Sequence, residues 1–302
     1  ETLSKIRSDI IIVTLTGDRH GKPQVDYTVN PALGIPDITG HEGSVDPVAN
    51  AIPAWDMIAG NMCVSSLLAA ERYRLRHGVG QDVEIALKDV ASAAIGHLGM
   101  IADTTLNTDD RTKAGNSLYG AYGKDFLCAD GNRVMIIGLT SRQWAGIVKA
   151  TDTAEQFKQL EMQNNINLQD ESIRWKWRHA ITEIIEPWFK IRKVEDFASN
   201  FDKIGLTWSV FRSVREALDF DPDLTEDNPL FKKILQPDAG EFLVPKHPAN
   251  FSKVENSDPT AAPILGEHTE EILGDVLNLS DIEVSNLFDN GVVASPSFHK
   301  NK

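Results

Sequence analysis

The chain has 302 residues and a net charge of −14 at pH 7, with 41% hydrophobic and 25% charged residues. This is the composition of an ordinary globular protein with a sizeable core, and no apolar run is long enough to span a bilayer. The acidic balance argues against nucleic acids and membrane surfaces as partners, because phosphate groups need a basic footprint, but a local pocket can still bind an anionic small molecule.

The first predicted element is a strand. Residues 10–15, IIIVTL, form a continuous apolar run that ends at Gly17, a pattern typical of a parallel strand buried on both faces. Residues 18–46 are rich in glycine, proline and aspartate and lack periodicity, which predicts a long loop. Tyr27 and Asn30 then lie near the carboxyl end of the strand, where α/β sheets place ligands. A surface loop without a chemical role is an equally good interpretation.

A long helix follows, beginning near Asp56 and ending near Gly78. Ile58, Met62 and Ser66 recur at helical spacing, and the glycine is a typical helix stop. At or beside the N-cap, the Asp56 carboxylate meets free N–H groups and the positive end of the helix dipole, which favour its ionised form. On spacing alone, an ordinary capping role is the simplest interpretation of this residue.

The remaining pattern predicts an α/β protein. A strand at 83–87 is followed by a helix from Asp89 to about Thr105 and by a polar linker. Glycines recur in GNSLYGAYG, residues 115–123, but no Gly-Lys-Ser/Thr follows, so this is not a phosphate-binding P-loop. A hairpin, a helical region, an irregular proline-rich stretch and a final helix are predicted at residues 126–139, 142–219, 236–263 and 279–290.

Two adjacent features carry a family resemblance. Asp56 stands in a loop before a helix of small residues, and residues 78–87, GVGQDVEIAL, fit the form G-x-G-Q-x-V-[DE]-x-x-L. Together they resemble the family III CoA-transferases of the CaiB/BaiF type. Further segments resemble members of that family that move CoA from C1 to C4 of one C5 dicarboxylate. These are VDYTVNPALGIPDITG (25–40), IPAWD (52–56), IALKDVASAAIGHLGMIAD (85–103), GNSLYGAYGKDF (115–126) and APILGEHTEEIL (262–273).

The resemblance implies roles for individual residues. Asp56 would be the nucleophile, carrying first the acyl group and then CoA as an aspartyl thioester. The glycine loop, residues 115–120, would be a mobile cover over the active site. The residues expected to bind the acyl-CoA substrate are Lys22, Tyr27, Asn30, Gly115, Asn116, Tyr119 and Gly120.

No metal or cofactor is implied, because the CoA thioester is itself the substrate. The sequence also shows no His/Cys/carboxylate cluster with metal-ligand spacing and no G-x-G-x-x-G after a strand. Two cysteines, Cys63 and Cys128, are too few for a disulfide framework or a zinc site and indicate a reduced, cytoplasmic setting.

The resemblance also predicts the architecture. Residues 1–105 and 225–302 would build part of a Rossmann-like large domain that carries the nucleophile, and residues 113–220 a smaller α+β domain. Family members form interlocked homodimers, so we expect a homodimer here. They also carry residues upstream of the position of Glu1 that supply strands and CoA contacts. We therefore expect that an N-terminal part is missing and that this chain alone binds CoA poorly.

Three alternatives remain beside the intramolecular transfer. One is an intermolecular CoA-transferase that uses a free carboxylic acid as acceptor. Another is an α-methylacyl-CoA racemase, which pairs an upstream histidine with the aspartate; here Asp26 occupies the histidine position, so the racemase is disfavoured. The last is a non-catalytic fragment or subunit, since a fold does not fix a function.

Overall fold

The computed structural model describes residues 2–108 and 110–294 as a mixed α/β protein, which confirms the predicted class. The chain forms two compact units, Glu1–Phe211 and Arg212–Lys302. The assignment of 225–302 to the same domain as 1–105 stays a prediction. None of the helices in the described residues combines the length and the apolar content needed to cross a membrane.

A parallel pair of strands begins the first unit. β1 (Ile11–Thr16) lies beside β2 (Gln81–Ala86), with Val13 opposite Val83. A side chain at Gly80 would overlap the backbone carbonyl of Ile10, so the second glycine of the G-x-G-Q form is needed where the chain enters β2. The strand prediction is confirmed, but burial on both faces is not: Leu15 is 50% exposed, because this sheet has two strands in the described residues.

Six helices occur in the same part of the chain as these strands. They are α1 (Thr2–Ile6), α2 (Asp26–Ala32), α3 (Ile35–Ile38), α4 (Ala54–His77), α5 (Leu87–His97) and α6 (Met100–Leu106). The predicted long loop contains α2 and α3, which are too short to show apolar periodicity and carry a proline, Pro31, inside a helix. The predicted single helix after β2 is divided at Gly99, whose φ of +76° ends α5 and starts α6. The core of this part contains Val29, Trp55, Ala59, Ile85, Leu87, Val90 and Ala91.

An antiparallel sheet forms a second core in the same unit. Its strands are β3 (Tyr122–Leu127), β4 (Arg133–Gly138) and β5 (Thr207–Val210), in the order β3-β4-β5. The predicted hairpin is thus confirmed. The helices are α7 (Ser141–Ala150), α8 (Ala154–Asn164), α9 (Glu171–Lys176), α10 (Arg178–Lys190) and α11 (Ala198–Ile204). The largest fully buried side chains include Trp144, Arg174, Tyr122, Phe126 and Phe189.

The second unit has a hairpin of β6 (Phe231–Gln236) and β7 (Gly240–Pro245). Its turn contains Asp238 at a φ of +59°, and the irregular stretch predicted from residue 236 missed β7. The helices of this unit are α12 (Val214–Phe220), α13 (Thr269–Glu271) and α14 (Asp281–Asp289). This unit also has a 3-10 turn at Pro222–Leu224 and a π turn at Ile272–Val276, whereas the 3-10 turn at Val194–Asp196 belongs to the first unit.

Candidate functional site

Asp56 is the third residue of α4, because the helix begins at Ala54, two residues before the predicted start. The cap residue is Pro53, which has no side-chain hydrogen-bond acceptor. The Asp56 side chain is exposed, and its carboxylate makes no hydrogen bond or ion pair with any residue that the structure describes. An exposed, unengaged carboxylate in the first turn of a helix is available for reaction and lies close to the positive end of the helix dipole.

The capping carboxylate of α4 comes from a different helix. The backbone N–H of Trp55 donates to Asp26 Oδ2 at 2.7 Å, and the Trp55 indole N–H donates to Asn30 Oδ1 at 3.1 Å. Asp26 is 1% exposed and Asn30 is fully buried, and both lie one turn apart on α2. The ordinary capping role considered for Asp56 is therefore filled by Asp26.

The predicted binding residues near β1 fall into different environments. Asn30 lies in the buried network around Trp55, whereas Tyr27 on the same helix is 54% exposed. Lys22 is exposed, and its backbone N–H donates to Asp18 Oδ1 at 2.9 Å. This hydrogen bond, with a second from the backbone of His20, lowers the pKa of Asp18. The turn at the carboxyl end of β1 is thus fixed, with Lys22 pointing to solvent-accessible space.

The glycine loop is attached to the loop that follows α3. The N–H of Gly115 donates to the carbonyl of Gly40 at 3.0 Å. Just before it, the ammonium of Lys113 is buried and donates to the backbone oxygen of Asp46. Gly115 has a φ of +57° and Gly120 a φ of +81°, left-handed conformations that favour glycine. The glycines at these two positions are therefore required by the course of the backbone.

Tyr119 holds the other end of the glycine loop through aromatic contacts. The Arg111 guanidinium lies 3.7 Å from the centre of its ring, and the Trp175 ring lies 4.9 Å away, centre to centre. The Tyr119 hydroxyl donates to Asp103 Oδ2 at 3.2 Å. Burial and the nearby Asp103 charge together raise the pKa of Tyr119. Arg178 continues the stack, 4.1 Å from the centre of the Trp175 ring.

A polar cavity of about 460 Å³ lies beside the glycine loop. Its lining consists of His41, Glu42, Ala114, Gly115, Asn116, Lys124, Asp125 and Arg133. The cations of this cavity are already paired: Lys124 Nζ lies 3.0 Å from Asp125 Oδ1, and Arg133 contacts the same carboxylate. Burial raises the pKa of Asp125, but the hydrogen bonds from these two cations lower the pKa by more than burial raises it. The pKa of Asp125 therefore lies below its ordinary value.

The structure therefore brings the predicted residues together in two groups. Asn30 stands beside the turn that carries Asp56, while Gly115, Asn116, Tyr119 and Gly120 form one segment; the cavity lining does not include Asp56. No local pattern in the sequence indicates the role of Asp26. The one indirect signal is Pro53, because a helix whose cap residue has no acceptor must obtain one elsewhere. Among the described residues no three His, Cys, Asp or Glu side chains cluster as a metal site requires.

A family model and two characterised proteins with similar sequences match nearly the whole chain. The model of the family described as CoA-transferase family III matches residues 1–269. The chain is 47% identical to 2-methylfumaryl-CoA isomerase from Chloroflexus aurantiacus over 296 residues, which cover 98% of this chain and 72% of that protein. It is 23% identical to human succinyl-CoA:glutarate CoA-transferase over 306 residues, 99% of this chain and 67% of that one.

The fold also has solved counterparts. A CaiB/BaiF family protein from Brucella suis superposes with a TM-score of 0.68 at 21% identity, covering 91% of this chain and 70% of that one. At this identity the likeness shows the fold alone.

Proposed function

Since the chain belongs to CoA-transferase family III, we propose that it moves CoA within one substrate, converting 2-methylfumaryl-CoA (mesaconyl-C1-CoA) to 3-methylfumaryl-CoA (mesaconyl-C4-CoA). The observation that carries this proposal is the 47% identity, over 98% of the chain, with a protein named for isomerisation of 2-methylfumaryl-CoA. The relatives at 23% identity are named for transfer between two different acids.

Asp56 is the nucleophile in this proposal. Its carboxylate attacks the C1 thioester carbonyl, forming a mixed anhydride and releasing the CoA thiolate. The thiolate attacks the aspartyl carbonyl, giving the Asp56–CoA thioester and free mesaconate. The C4 carboxylate of mesaconate then attacks this thioester, and the released thiolate attacks the C4 carbonyl of the new anhydride. The products are mesaconyl-C4-CoA and the original carboxylate, so one difficult exchange becomes four simpler steps.

The geometry of the glycine loop supports a role in stabilising the negative oxygen of each addition. Three of its N–H groups, including that of Gly115, already donate to carbonyl oxygens. Those of Asn116, Tyr119 and Gly120 have no acceptor within the part of the chain that the structure describes. Backbone N–H groups that are held in place by their loop and have no acceptor are the usual donors to the negative oxygen of a tetrahedral intermediate. We assign the oxyanion contact to these three donors and not to Gly115.

The attachment of the glycine loop supports an intramolecular transfer. Tyr119 is held by Arg111, Trp175 and Asp103, so the segment proposed to cover the site is anchored at both ends. A covered site keeps mesaconate beside the aspartyl thioester, which makes its recapture effectively unimolecular. The binding roles of Lys22 and Tyr27 toward CoA, and the absence of a cofactor, are part of this proposal.

Isotope exchange tests the intramolecular transfer. Labelled mesaconate added during turnover of unlabelled mesaconyl-C1-CoA should not enter mesaconyl-C4-CoA. Tyr119→Ala removes the ring that anchors the glycine loop and should admit label, whereas Tyr119→Phe, which keeps the ring, should admit much less. Label entering the wild-type product at the rate of turnover would support the second candidate, an intermolecular CoA-transferase, which the more distant relatives favour.

The remaining alternatives are less well supported. The racemase would need an acid/base group at position 26, but Asp26 is buried and committed to the Trp55 N–H. A non-catalytic subunit would show no turnover. We also propose a homodimer with a Rossmann-like large domain. Exposed apolar side chains on α4 support association, and the two free cysteines fit a reducing, cytoplasmic setting.

A further inference from the structure

The N-termini of α2 and α4 meet at one buried carboxylate. Asp26, the first residue of α2, is 1% exposed, and its Oδ2 accepts the N–H of Trp55, the second residue of α4, at 2.7 Å. Pro53, in the cap position of α4, offers no side-chain acceptor. Asp26 therefore does from a neighbouring helix what an N-cap side chain does from within its own.

Stability alone does not account for a carboxylate at this place. The second oxygen of Asp26, Oδ1, is buried without a hydrogen-bond partner among the described residues, and so is Asn30 Nδ2 one turn later. Burying a charged group with a single hydrogen bond is unfavourable. A neutral serine or asparagine would satisfy the Trp55 N–H at a smaller desolvation cost.

The cap determines what Asp56 is free to do. Asp56 directly follows Trp55, and an acidic side chain in the first turn of a helix can fold back onto the free N–H groups there. In this protein Asp26 accepts the hydrogen bond of the Trp55 N–H. The Asp56 carboxylate is exposed and has no partner in the described residues. The Asp26 carboxylate thus caps α4, and the Asp56 carboxylate stays available to substrate.

We propose that Asp26 is a positioning residue for the nucleophile: it caps α4 from α2 and so keeps the Asp56 carboxylate off the helix terminus. The role rests on the proposed function, in which Asp56 attacks the thioester. Removing the cap leaves the Trp55 N–H without an acceptor, and the residue that follows Trp55 is Asp56, whose carboxylate is free. It then bonds to its own helix and loses reactivity, while the binding of CoA is unaffected.

The test uses the full chain, isomerisation kinetics, and hydrogen exchange at the Trp55 amide measured without substrate. In Asp26→Ala, kcat should fall about a hundredfold, as expected for a misplaced reacting group. KM should stay within about threefold, because the change removes no substrate contact. The Trp55 amide should exchange faster, because the exposed Asp56 carboxylate that replaces the buried Asp26 shields it less from water. Asp26→Asn keeps an oxygen acceptor at the same distance, so it should recover most of kcat and of the protection.

Val29→Ala is the matched control, since Val29 lies on the same helix in the same core and makes no contact with the α4 N-terminus through a hydrogen bond. It should lower the unfolding temperature with little change in kcat. If Asp26→Ala does not fold, Asp26→Leu, which fills the space without an acceptor, takes its place with the same expectation. A wild-type kcat in the Ala or Leu variant would overturn the role, as would an equal loss in Val29→Ala or no recovery in Asp26→Asn. A wild-type protein without isomerase activity would instead overturn the proposed function itself, whatever the exchange data show.

Discussion

At the scale of single residues, two aspartates in equivalent helix positions have different expected roles. Asp56 is the third residue of α4, and Asp89 is the third residue of α5; both are exposed. Asp56→Ala should lower turnover by at least about 10³-fold while the protein folds normally, because transfer through an enzyme ester has no other route. Asp89→Ala, with the same change of charge in the same helical position, should leave turnover nearly intact.

Trapping locates the adduct independently of the rate. Hydroxylamine added with substrate attacks an aspartyl thioester or anhydride and leaves a hydroxamate, which peptide mass analysis places on one residue. We expect that residue to be Asp56. Substantial turnover in Asp56→Ala, or a hydroxamate on another carboxylate, would move the nucleophile elsewhere.

Asp125 gives a residue-scale prediction for stability against pH. Burial raises its pKa, but Lys124 and Arg133 lower it more, so the folded-state pKa lies below the unfolded one. Such a carboxylate stabilises the fold at pH values above its unfolded pKa and loses this contribution as pH falls through the folded value. Asp125→Asn should therefore lower the free energy of unfolding at pH 7 by about 1–2 kcal/mol, since its partners are half-exposed.

Urea unfolding at pH 7 and at about pH 3 checks this dependence, because the difference between wild type and Asp125→Asn should shrink at the lower pH. Asp82, an exposed strand residue, is the control, and Asp82→Asn should change stability little at either pH. A difference for Asp125→Asn as large at low pH as at neutral pH would show that lost packing, and not charge, is responsible.

At the scale of elements, α4 contains two glycines with opposite expected effects. Gly78, which ends the helix, has a φ of +73°, whereas Gly60 lies inside the helix, and a side chain at either position meets open space. Gly78→Ala should destabilise by about 1 kcal/mol, because the left-handed conformation disfavours a Cβ. Gly60→Ala should stabilise by about 0.5–1 kcal/mol, because alanine loses less entropy in a helix. Urea unfolding measures both, and shifts of the same sign would contradict the assignment of the helix end.

Elements with strong local signals were predictable from the sequence. The apolar run of β1, the start and stop of α4 and the turn of the β3–β4 hairpin each depend on neighbouring residues. α2 and α3 were missed because they span no more than about two helical turns and contain prolines. β5 was missed because its place is decided by pairing with β4, more than sixty residues earlier in the chain.

The residues of the candidate site also differ in whether the local sequence could predict them. Asp56 was found because a helix start and a family motif converge on it, whereas the function of Asp26 depends on a hydrogen bond between residues 29 positions apart. Periodicity is analysed over short stretches of sequence, and none of them spans a hydrogen bond between residues so far apart. The glycine loop was located from its composition, but its anchoring by Tyr119 and Trp175 also depends on distant parts of the chain.

At the scale of the whole molecule, we expect the exposed apolar side chains of α4 to make the protein self-associate. The helix buries Trp55, Ala59 and Ala70, while several of its large apolar side chains are exposed. These are Met57, Ile58, Met62, Val64, Leu67, Leu68 and Leu75. Light scattering after size exclusion should give twice the mass of one chain. Leu68→Lys should shift the mass to that of a single chain if these exposed side chains form the interface. A monomeric wild type would contradict the proposed homodimer.

The two hydrogen bonds of Trp55 also give the protein an optical property. Trp55 is bonded through its backbone to Asp26 and through its indole to Asn30, and it directly precedes Asp56. The other five tryptophans, at 144, 175, 177, 188 and 208, all lie in the later part of the chain. Acylation of Asp56 removes a negative charge from the residue that follows this tryptophan, so the Trp55 fluorescence should change when the adduct forms and return when the carboxylate is released. The difference between wild type and Trp55→Phe would then record the lifetime of the aspartyl thioester in real time.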